Sequence, residues 1–178
     1  MNKKNKLEDS LHKIFLSSGY KMIDVSNKEV TQRKALAVGE IILGPEVIEL
    51  IKARNMPKGD PLSIAEVSGI NGAKKTSELI PLCHPLPLDH ISIHAEINEK
   101  KYSITIYCLV SANSKTGVEM EALSGVNSAL LAIYDLSKIV EPNLKITNTK
   151  LLVKSGGKKG LWINPDGIPD NIKNTLNL

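Results

Sequence analysis

The long apolar segment from Val118 to Val140 most constrains how this chain can fold. Its larger apolar residues recur at spacings of three, four and seven, which is the periodicity of one face of an α-helix. Beside them runs a stripe with almost no side chain, made of Ala122, Gly125, Ala129 and Ala132. Such a stripe permits close approach of another helix or of a sheet, inside the subunit or across a dimer. The segment therefore predicts one long, tightly packed helix.

Shorter patterns on either side of this helix predict both strands and helices. Strands are predicted over 34–43 and 144–153, and a hairpin of two strands is predicted over 90–110. Shorter helices are predicted over 46–54, from Asp60 to about Gly69, and over 73–80. Such a mixture favours antiparallel pairing. We predict an α+β fold of ferredoxin-like type, an antiparallel sheet with helices packed on one of its faces.

Length and composition bound the class of protein. The 178 residues are 42% hydrophobic and 24% charged, which predicts one globular domain with polar ends. We expect a loose N-terminal extension over 1–20, a folded domain over 21–160 and a loose C-terminal tail over 161–178. No apolar run approaches the roughly 20 residues of a membrane span, and none resembles a secretory signal. The sequence therefore predicts a soluble cytoplasmic protein that binds no membrane.

The positive charge raises the question of the partner. A formal net charge of +4 fits either a nucleic-acid binder or a protein that holds small phosphorylated ligands. Proteins that bind single strands stack bases on aromatic side chains, whereas this chain has one Phe, one Trp and four Tyr. A small phosphorylated ligand is therefore favoured, and a nucleic-acid-binding ferredoxin-like module is kept as the alternative.

A proline-rich stretch over 79–94 contains three of the four histidines and one of the two cysteines. Cys83 and His84 are adjacent and flanked by prolines, so they do not readily converge on one tetrahedral ion, and no further metal motif is present. We predict no metal site, with Cys83 packed as a small hydrophobe. His84 is equally consistent with a ligand contact or general acid and with a structural loop residue. His90 and His94 share one face of a predicted strand, most simply a solvated face.

Three groups of polar residues could carry chemistry, and each also has a plain structural explanation. Lys154 precedes two adjacent glycines, as in turns that bind anions, but a basic surface turn would look the same. Asp135 and Lys138 are helical neighbours, so they form either an ion pair or an acid and base pair. Glu119 and Glu121 lie on different faces if their segment is helical and on one face if it is extended.

Several blocks of sequence, taken together, resemble the MoaC family of molybdenum-cofactor biosynthesis. They are MIDVSNKEVTQRKA, PKGDPLSIAEVSGINGAKKTSELIPLCHPLPLDHI, KTGVEMEAL, IYDLSK and LLVKSGGKKG, in family order from Met22 to Gly160. The resemblance implies a lyase, a cyclic pyranopterin monophosphate synthase that acts on a cyclised guanosine triphosphate and releases pyrophosphate. It also implies a homo-oligomer, a hexamer built as a trimer of dimers, with sites at the subunit interfaces.

The resemblance further implies roles for individual residues and no metal or other cofactor. The implied catalytic residues are Asp135, Lys138, Lys58 and His84. The implied substrate-binding residues are Arg33, Lys74 and Lys154 for the phosphates, Glu119 and Glu121 for the guanine-derived base, and the adjoining Cys83 and Met120.

Overall fold

The structure is a computed structural model, and it describes Ser10, Lys13, residues 19–169 and residues 172–173. Helices cover one face of a five-stranded sheet. The strands are β1 (Thr31–Ile42), β2 (His90–Asn98), β3 (Ser103–Ser114), β4 (Lys145–Ser155) and β5 (Trp162–Ile163). The helices are α1 (Pro45–Lys52), α2 (Pro61–Lys74), α3 (Thr76–Leu79) and α4 (Glu119–Ser137). The predicted α+β class is confirmed.

The sheet has the strand order β2-β3-β1-β4-β5, and all neighbouring strands are antiparallel. The central pair is β1 with β3, in register from Thr31 opposite Ser114 to Ile42 opposite Ser103. The first four strands and the two long helices follow one another as β-α-β-β-α-β, with β1 and β3 in the middle of the sheet, which is the ferredoxin-like arrangement. The predicted topology is therefore confirmed.

The main core lies between the sheet and the helices. Alternate residues of β1 and β3, such as Ala37, Ile41, Ile104 and Ile106, point toward the helices and are fully buried. Period-two alternation places these residues on one face, as expected for a sheet with a single main core face. Leu130 and other apolar residues of α4 pack against them. The periodicity that predicted α4 is therefore the pattern of its core contacts.

Glycines bring α2 and α4 into close contact. A Cβ atom placed on Gly69 would lie 3.1 Å from the carbonyl oxygen of Gly125, and one on Gly125 would lie 3.5 Å from Ala73 Cβ. The helix predicted to stop near Gly69 continues to Lys74, so that boundary is wrong. Glycine is a poor helix former, but here its missing side chain permits the contact between the helices.

Part of the C-terminal segment covers the second face of the sheet. β5 pairs with the end of β4, and the Asn164 amide donates to the Leu152 carbonyl at 2.8 Å. Ile168 is 5% exposed. A smaller apolar cluster lies on this second face, formed by Leu36, Val38, Tyr107 and Leu152. The described part of the segment thus packs on the sheet, whereas most of the predicted N-terminal extension over 1–20 and part of the predicted tail over 161–178 lie outside the described residues.

No helix in the described part of the chain is both long and apolar enough to cross a membrane.

Candidate functional site

Three of the four implied catalytic residues meet where α4 ends, and we call Lys58, Asp135 and Lys138 the C-terminal cluster. Lys58 lies just before α2, and its Nζ is 2.5 Å from Asp135 Oδ2. Lys138 follows the last turn of α4, and its Nζ is 2.8 Å from Asp135 Oδ1. Because α2 and α4 run antiparallel, the start of α2 lies beside the end of α4. One carboxylate therefore holds an ammonium group on each of its oxygens.

The charges of the C-terminal cluster favour its fully ionised form. Hydrogen bonds from Lys138 and then Lys58 lower the pKa of Asp135 to about 2. The same contact with Asp135 raises the pKa of Lys138 above its usual value. An opposite charge within hydrogen-bond distance stabilises the charged form of each partner. At neutral pH Asp135 is thus an ionised carboxylate, and Lys138 is a protonated ammonium group.

A second group of charged residues lies where α4 begins, and we call Arg33, Glu119, Glu121 and Lys154 the N-terminal cluster. Lys154 Nζ donates to Glu119 Oε1 at 2.9 Å. Lys154 pairs with Ala35 in the sheet, two residues along β1 from Arg33, so both cations lie on the helix side of the sheet. The Arg33 Nε donates to the Ser114 carbonyl at 3.3 Å. Two cations and two carboxylates therefore meet at this end of α4.

The two glutamates of the N-terminal cluster occupy different environments. Their segment forms the first turn of α4, so the helical alternative holds and they lie on different faces. Glu121 is 4% exposed, and its burial, followed by the nearby charge of Glu119, raises its pKa. Glu119 is instead paired with Lys154, and Met120 between them is 38% exposed. Burial thus disfavours the charged form of Glu121, and groups with such perturbed pKa values are common at binding sites.

The remaining implied site residues lie on segments near the start of α4. Cys83 is partly buried beside Glu121. The pKa of its thiol is raised mainly by burial and also by the negative charge of Glu121. His84, the next residue, is partly buried in the loop that follows α3. Lys74 is exposed at the last position of α2. A raised pKa keeps the Cys83 thiol protonated, which fits packing rather than metal binding.

The strand histidines lie away from both clusters. His90 and His94 are exposed on the sheet face opposite the helices, as their alternation predicts. The His94 ring stacks on Tyr107 with 6.2 Å between centroids, and its Nε2 is 3.4 Å from Glu96 Oε1. Over the described residues, no three His, Cys, Asp or Glu side chains converge as a metal site would require. These histidines therefore lie on the exposed face of the strand, as expected for a solvated face.

One residue of this region was missed by the sequence reasoning. Lys115 follows β3, and its carbonyl accepts a hydrogen bond from Arg33 Nη2 at 3.4 Å. Its ammonium donates to the Ser26 carbonyl at 2.8 Å, which fixes the segment before β1. The sequence feature that could have identified Lys115 is its position at the start of the KTG turn, close to the two glutamates. Lys115 thus supports Arg33 through the backbone.

The sequence model of the MoaC family matches residues 22–157, which is most of the chain. The chain belongs to the MoaC family.

Several relatives carry descriptive names. The mitochondrial cyclic pyranopterin monophosphate synthase of Arabidopsis thaliana is 45% identical over 79% of this chain and 52% of its own length. A molybdenum cofactor biosynthesis bifunctional protein of Synechococcus elongatus is 46% identical over 84% of this chain and 47% of its own. The cyclic pyranopterin monophosphate synthase of Chloroflexus aggregans is 42% identical over 86% and 93%. The chain thus spans about half the length of the first two and nearly all of the third.

The site residues implied by the MoaC family fall into two separate groups within one chain. Glu119 and Asp135 stand at opposite ends of α4, sixteen residues apart, which corresponds to about 24 Å along a helix that rises 1.5 Å per residue. Two cavities of about 490 and 210 Å³ lie near the β2–β3 turn and between α2 and the sheet. None of the implied site residues lines either of them. In the described part of the chain, the implied site residues therefore lie in two separate clusters.

Proposed function

We propose that this MoaC-family protein is a cyclic pyranopterin monophosphate synthase of molybdenum-cofactor biosynthesis. It converts the cyclised guanosine triphosphate intermediate into cyclic pyranopterin monophosphate and releases pyrophosphate. The names of its relatives support this activity. The proposal also places the enzyme in the cytoplasm. Enrichment in the membrane fraction of the cells that make it would contradict that location.

The observation that carries the proposal is the carboxylate held between two ammonium groups. In the C-terminal cluster, Asp135 accepts hydrogen bonds from Lys58 and Lys138 at 2.5 and 2.8 Å. A rearrangement that makes and breaks bonds to carbon and phosphorus needs a proton acceptor and a proton donor close together. We assign Asp135 as the acceptor and the two lysines as donors. The raised pKa of Lys138 keeps its ammonium group protonated at neutral pH, which a donor needs before transfer.

The N-terminal cluster is the proposed binding half-site. Arg33 and Lys154 of this cluster, together with Lys74 at the end of α2, are assigned to the phosphate groups, because a guanidinium binds phosphate oxygens in pairs and lysine adds a point charge. Glu119 and Glu121 are assigned to the N–H groups of the guanine-derived base. Ligand binding would have to replace the contact of Lys154 with Glu119. His84, Cys83 and Met120 complete the proposed set beside Glu121.

A second copy of the chain is part of the proposal. Groups that act on one substrate must lie within hydrogen-bond reach of it, and about 24 Å along a helix separates the two half-sites. We propose that the N-terminal cluster of one chain meets the C-terminal cluster of another. Ile64 and Val67 of α2 and Leu131 of α4 are 45%, 58% and 60% exposed, and such apolar side chains are suited to an interface between subunits.

The assembly is proposed to be a hexamer built from three dimers. A dimer joined by a two-fold axis would contain two equivalent composite sites. Native mass measurement tests this size, since each chain contributes 19.4 kDa. A monomer at working concentration would contradict both the hexamer and the shared site.

Turnover of the cyclised guanosine triphosphate intermediate tests the activity. The purified protein is incubated with this intermediate, and both pyrophosphate release and the fluorescence of the oxidised pterin product are followed. The proposal predicts that both signals appear together. Binding of the intermediate without either product would contradict the synthase assignment and leave only a binding function.

No observation favours the nucleic-acid alternative. Across the described strands β1 to β4, Tyr107 is the one Phe, Tyr or Trp, and it is 6% exposed. Modules that stack bases need exposed rings on their central strands. The sheet therefore offers no stacking surface at its centre.

A further inference from the structure

Two adjacent glycines lie directly against the side chain of Arg33. Gly156 and Gly157, in the turn between β4 and β5, have φ of 99° and 70°. A Cβ atom on Gly157 would overlap Arg33 Nη1 and lie 2.6 Å from Cζ and 2.8 Å from Nη2. Carbon atoms are in favourable contact at about 3.5–4.0 Å, so the guanidinium could not remain where it is. The space that a side chain would fill at Gly157 is occupied by Arg33.

The other side of the Arg33 guanidinium is held by the end of β3. Nε donates to the Ser114 carbonyl at 3.3 Å and Nη2 donates to the Lys115 carbonyl at 3.4 Å. Both hydrogen bonds are long, so they constrain the group only weakly. A guanidinium has five N–H donors, and these contacts leave both donors of Nη1 and one of Nη2 for a ligand. Nη1, the atom with the most remaining donors, is also the one packed on Gly157.

We propose that Gly157 is a positioning residue that fixes the orientation of the Arg33 guanidinium for a phosphate group of the substrate. This inference rests on the proposed function for the identity of the phosphate. The glycine itself makes no contact with substrate. Because it has no side chain, the backbone of the turn lies directly against the guanidinium. The turn thereby packs on the side of the guanidinium that faces away from β3. Paired recognition of phosphate oxygens depends on that orientation, because the fork of N–H groups is rigid.

The simpler explanation is that glycine is needed at this position only for its backbone conformation. A positive φ strains any residue with a side chain, whatever surrounds it. Gly160 in the same turn provides the matched control, since its φ is 61° and a Cβ atom there would meet nothing within 4 Å. Gly160→Ala therefore carries the backbone strain alone. Gly157→Ala carries a similar strain together with displacement of Arg33.

The experiment compares these variants by steady-state kinetics and by calorimetric binding of inorganic tripolyphosphate. Gly157→Ala should raise KM for the cyclised intermediate and weaken tripolyphosphate binding about tenfold or more, the loss typical of a misaligned hydrogen bond to a charged group. The effect on kcat should be smaller than that on KM. Gly160→Ala should change both quantities by less than about twofold, because a small strain in an exposed turn does not move Arg33. Equal effects of the two substitutions would overturn the proposal.

A double variant separates action through Arg33 from a general effect on the turn. With Arg33→Ala in place, adding Gly157→Ala should cause no further loss of tripolyphosphate binding, since no guanidinium remains to be displaced. Additive losses would overturn the proposal. If Gly157→Ala alone does not fold, the double variant should recover folding, because removal of the guanidinium frees space for the methyl group. Failure of both to fold would also overturn it.

The two proposals fail in different ways. If the wild-type protein does not turn over the cyclised intermediate, the proposed function fails. The tripolyphosphate measurements do not depend on turnover, so they still decide whether Gly157 acts through Arg33.

Discussion

At the scale of single residues, the proposed chemistry depends most on Asp135. Replacing it by asparagine keeps the shape of the side chain but removes the proposed proton acceptor. Asp135→Asn should therefore lower kcat by about two to four powers of ten, the usual contribution of one proton-transfer group. Circular dichroism should show an unchanged fold, since the side chain is about half exposed.

A matched control for Asp135 is available in another carboxylate and lysine pair. Asp166 Oδ2 lies 2.9 Å from Lys150 Nζ and belongs to neither cluster. Asp166→Asn should leave turnover close to that of the wild type. Comparable losses in the two variants would mean that Asp135 acts through stability, and near-normal turnover in Asp135→Asn would remove it from the mechanism.

Glu121 gives a prediction about pH and stability. Its pKa is raised in the folded state, so the folded protein binds more protons than the unfolded one, and stability is lost as pH rises above the usual glutamate value of about 4.3. Glu121→Gln removes this cost. The variant should gain in thermal midpoint over wild type at pH 7 and gain less near pH 4, while losing affinity for the substrate.

Glu119→Gln serves as the control for this effect. Its carboxylate is paired with Lys154 at 2.9 Å, so its loss should give no gain in stability at pH 7. Thermal melts of the three proteins at both pH values are sufficient. An advantage of Glu121→Gln that is the same at both pH values would show that charge burial is not its cause.

At the scale of elements, the close contact between α2 and α4 is the feature most sensitive to change. Alanine favours a helix over glycine by about 1 kcal/mol, but a Cβ atom on Gly125 would lie 2.5 Å from Cys108 Sγ and 3.2 Å from the Gly69 carbonyl oxygen. Overpacking of this kind costs about 1–3 kcal/mol. Gly125→Ala should therefore lower the free energy of unfolding in urea, despite the better helix propensity.

An exposed position on α2 provides the comparison for that substitution. Asn71→Ala also improves helix propensity, and Asn71 is exposed. It should leave stability unchanged or raise it by a few tenths of a kcal/mol. If Gly125→Ala were as stable as Asn71→Ala, the proposed tight contact between the helices would be wrong.

Local periodicity predicted the elements better than it predicted their ends and contacts. The three-and-four spacing of α4 and the alternation of β2 reflect burial along one face, so they are visible in the sequence. Gly69 resembled a helix stop because glycine is common at helix ends. The contact that explains it instead comes from α4, which is distant in sequence. The pairing of β5 with β4 was not predicted, because a strand of two residues has no visible alternation.

The candidate site shows the same limit. Asp135 and Lys138 are three residues apart on one helix, so their contact follows from helical spacing. Lys58 is 77 residues from Asp135, and only the resemblance to the MoaC family grouped them beforehand. The proximity of Arg33 and Lys154 depends on the register of β1 with β4, which contains irregularities that no local pattern predicts.

At the scale of the whole molecule, the separation of the two clusters is the central feature. The nineteen-residue helix α4 holds charged groups at both of its ends and keeps them apart. In the proposed function, a complete site forms only when another copy of the chain supplies the second cluster. The same helix that organises the core would then determine the geometry of the assembly.

The most direct test of this account mixes two inactive variants. One is the double variant Arg33→Ala and Lys154→Ala, which loses the N-terminal cluster, and the other is Asp135→Asn, which loses the C-terminal cluster. In a mixed dimer, one of the two composite sites receives an intact half from each chain. Random pairing makes half of the dimers mixed, so about a quarter of the wild-type activity should return.

The control mixes Lys58→Ala with Asp135→Asn. These residues belong to the same cluster, so every composite site stays incomplete and no activity should return. Pull-down through a tag on one variant confirms that mixed assemblies form. Recovery of about a quarter of the activity in the first mixture and none in the second is the predicted result. No recovery in the first mixture, with mixed assemblies present, would contradict a site shared between two chains.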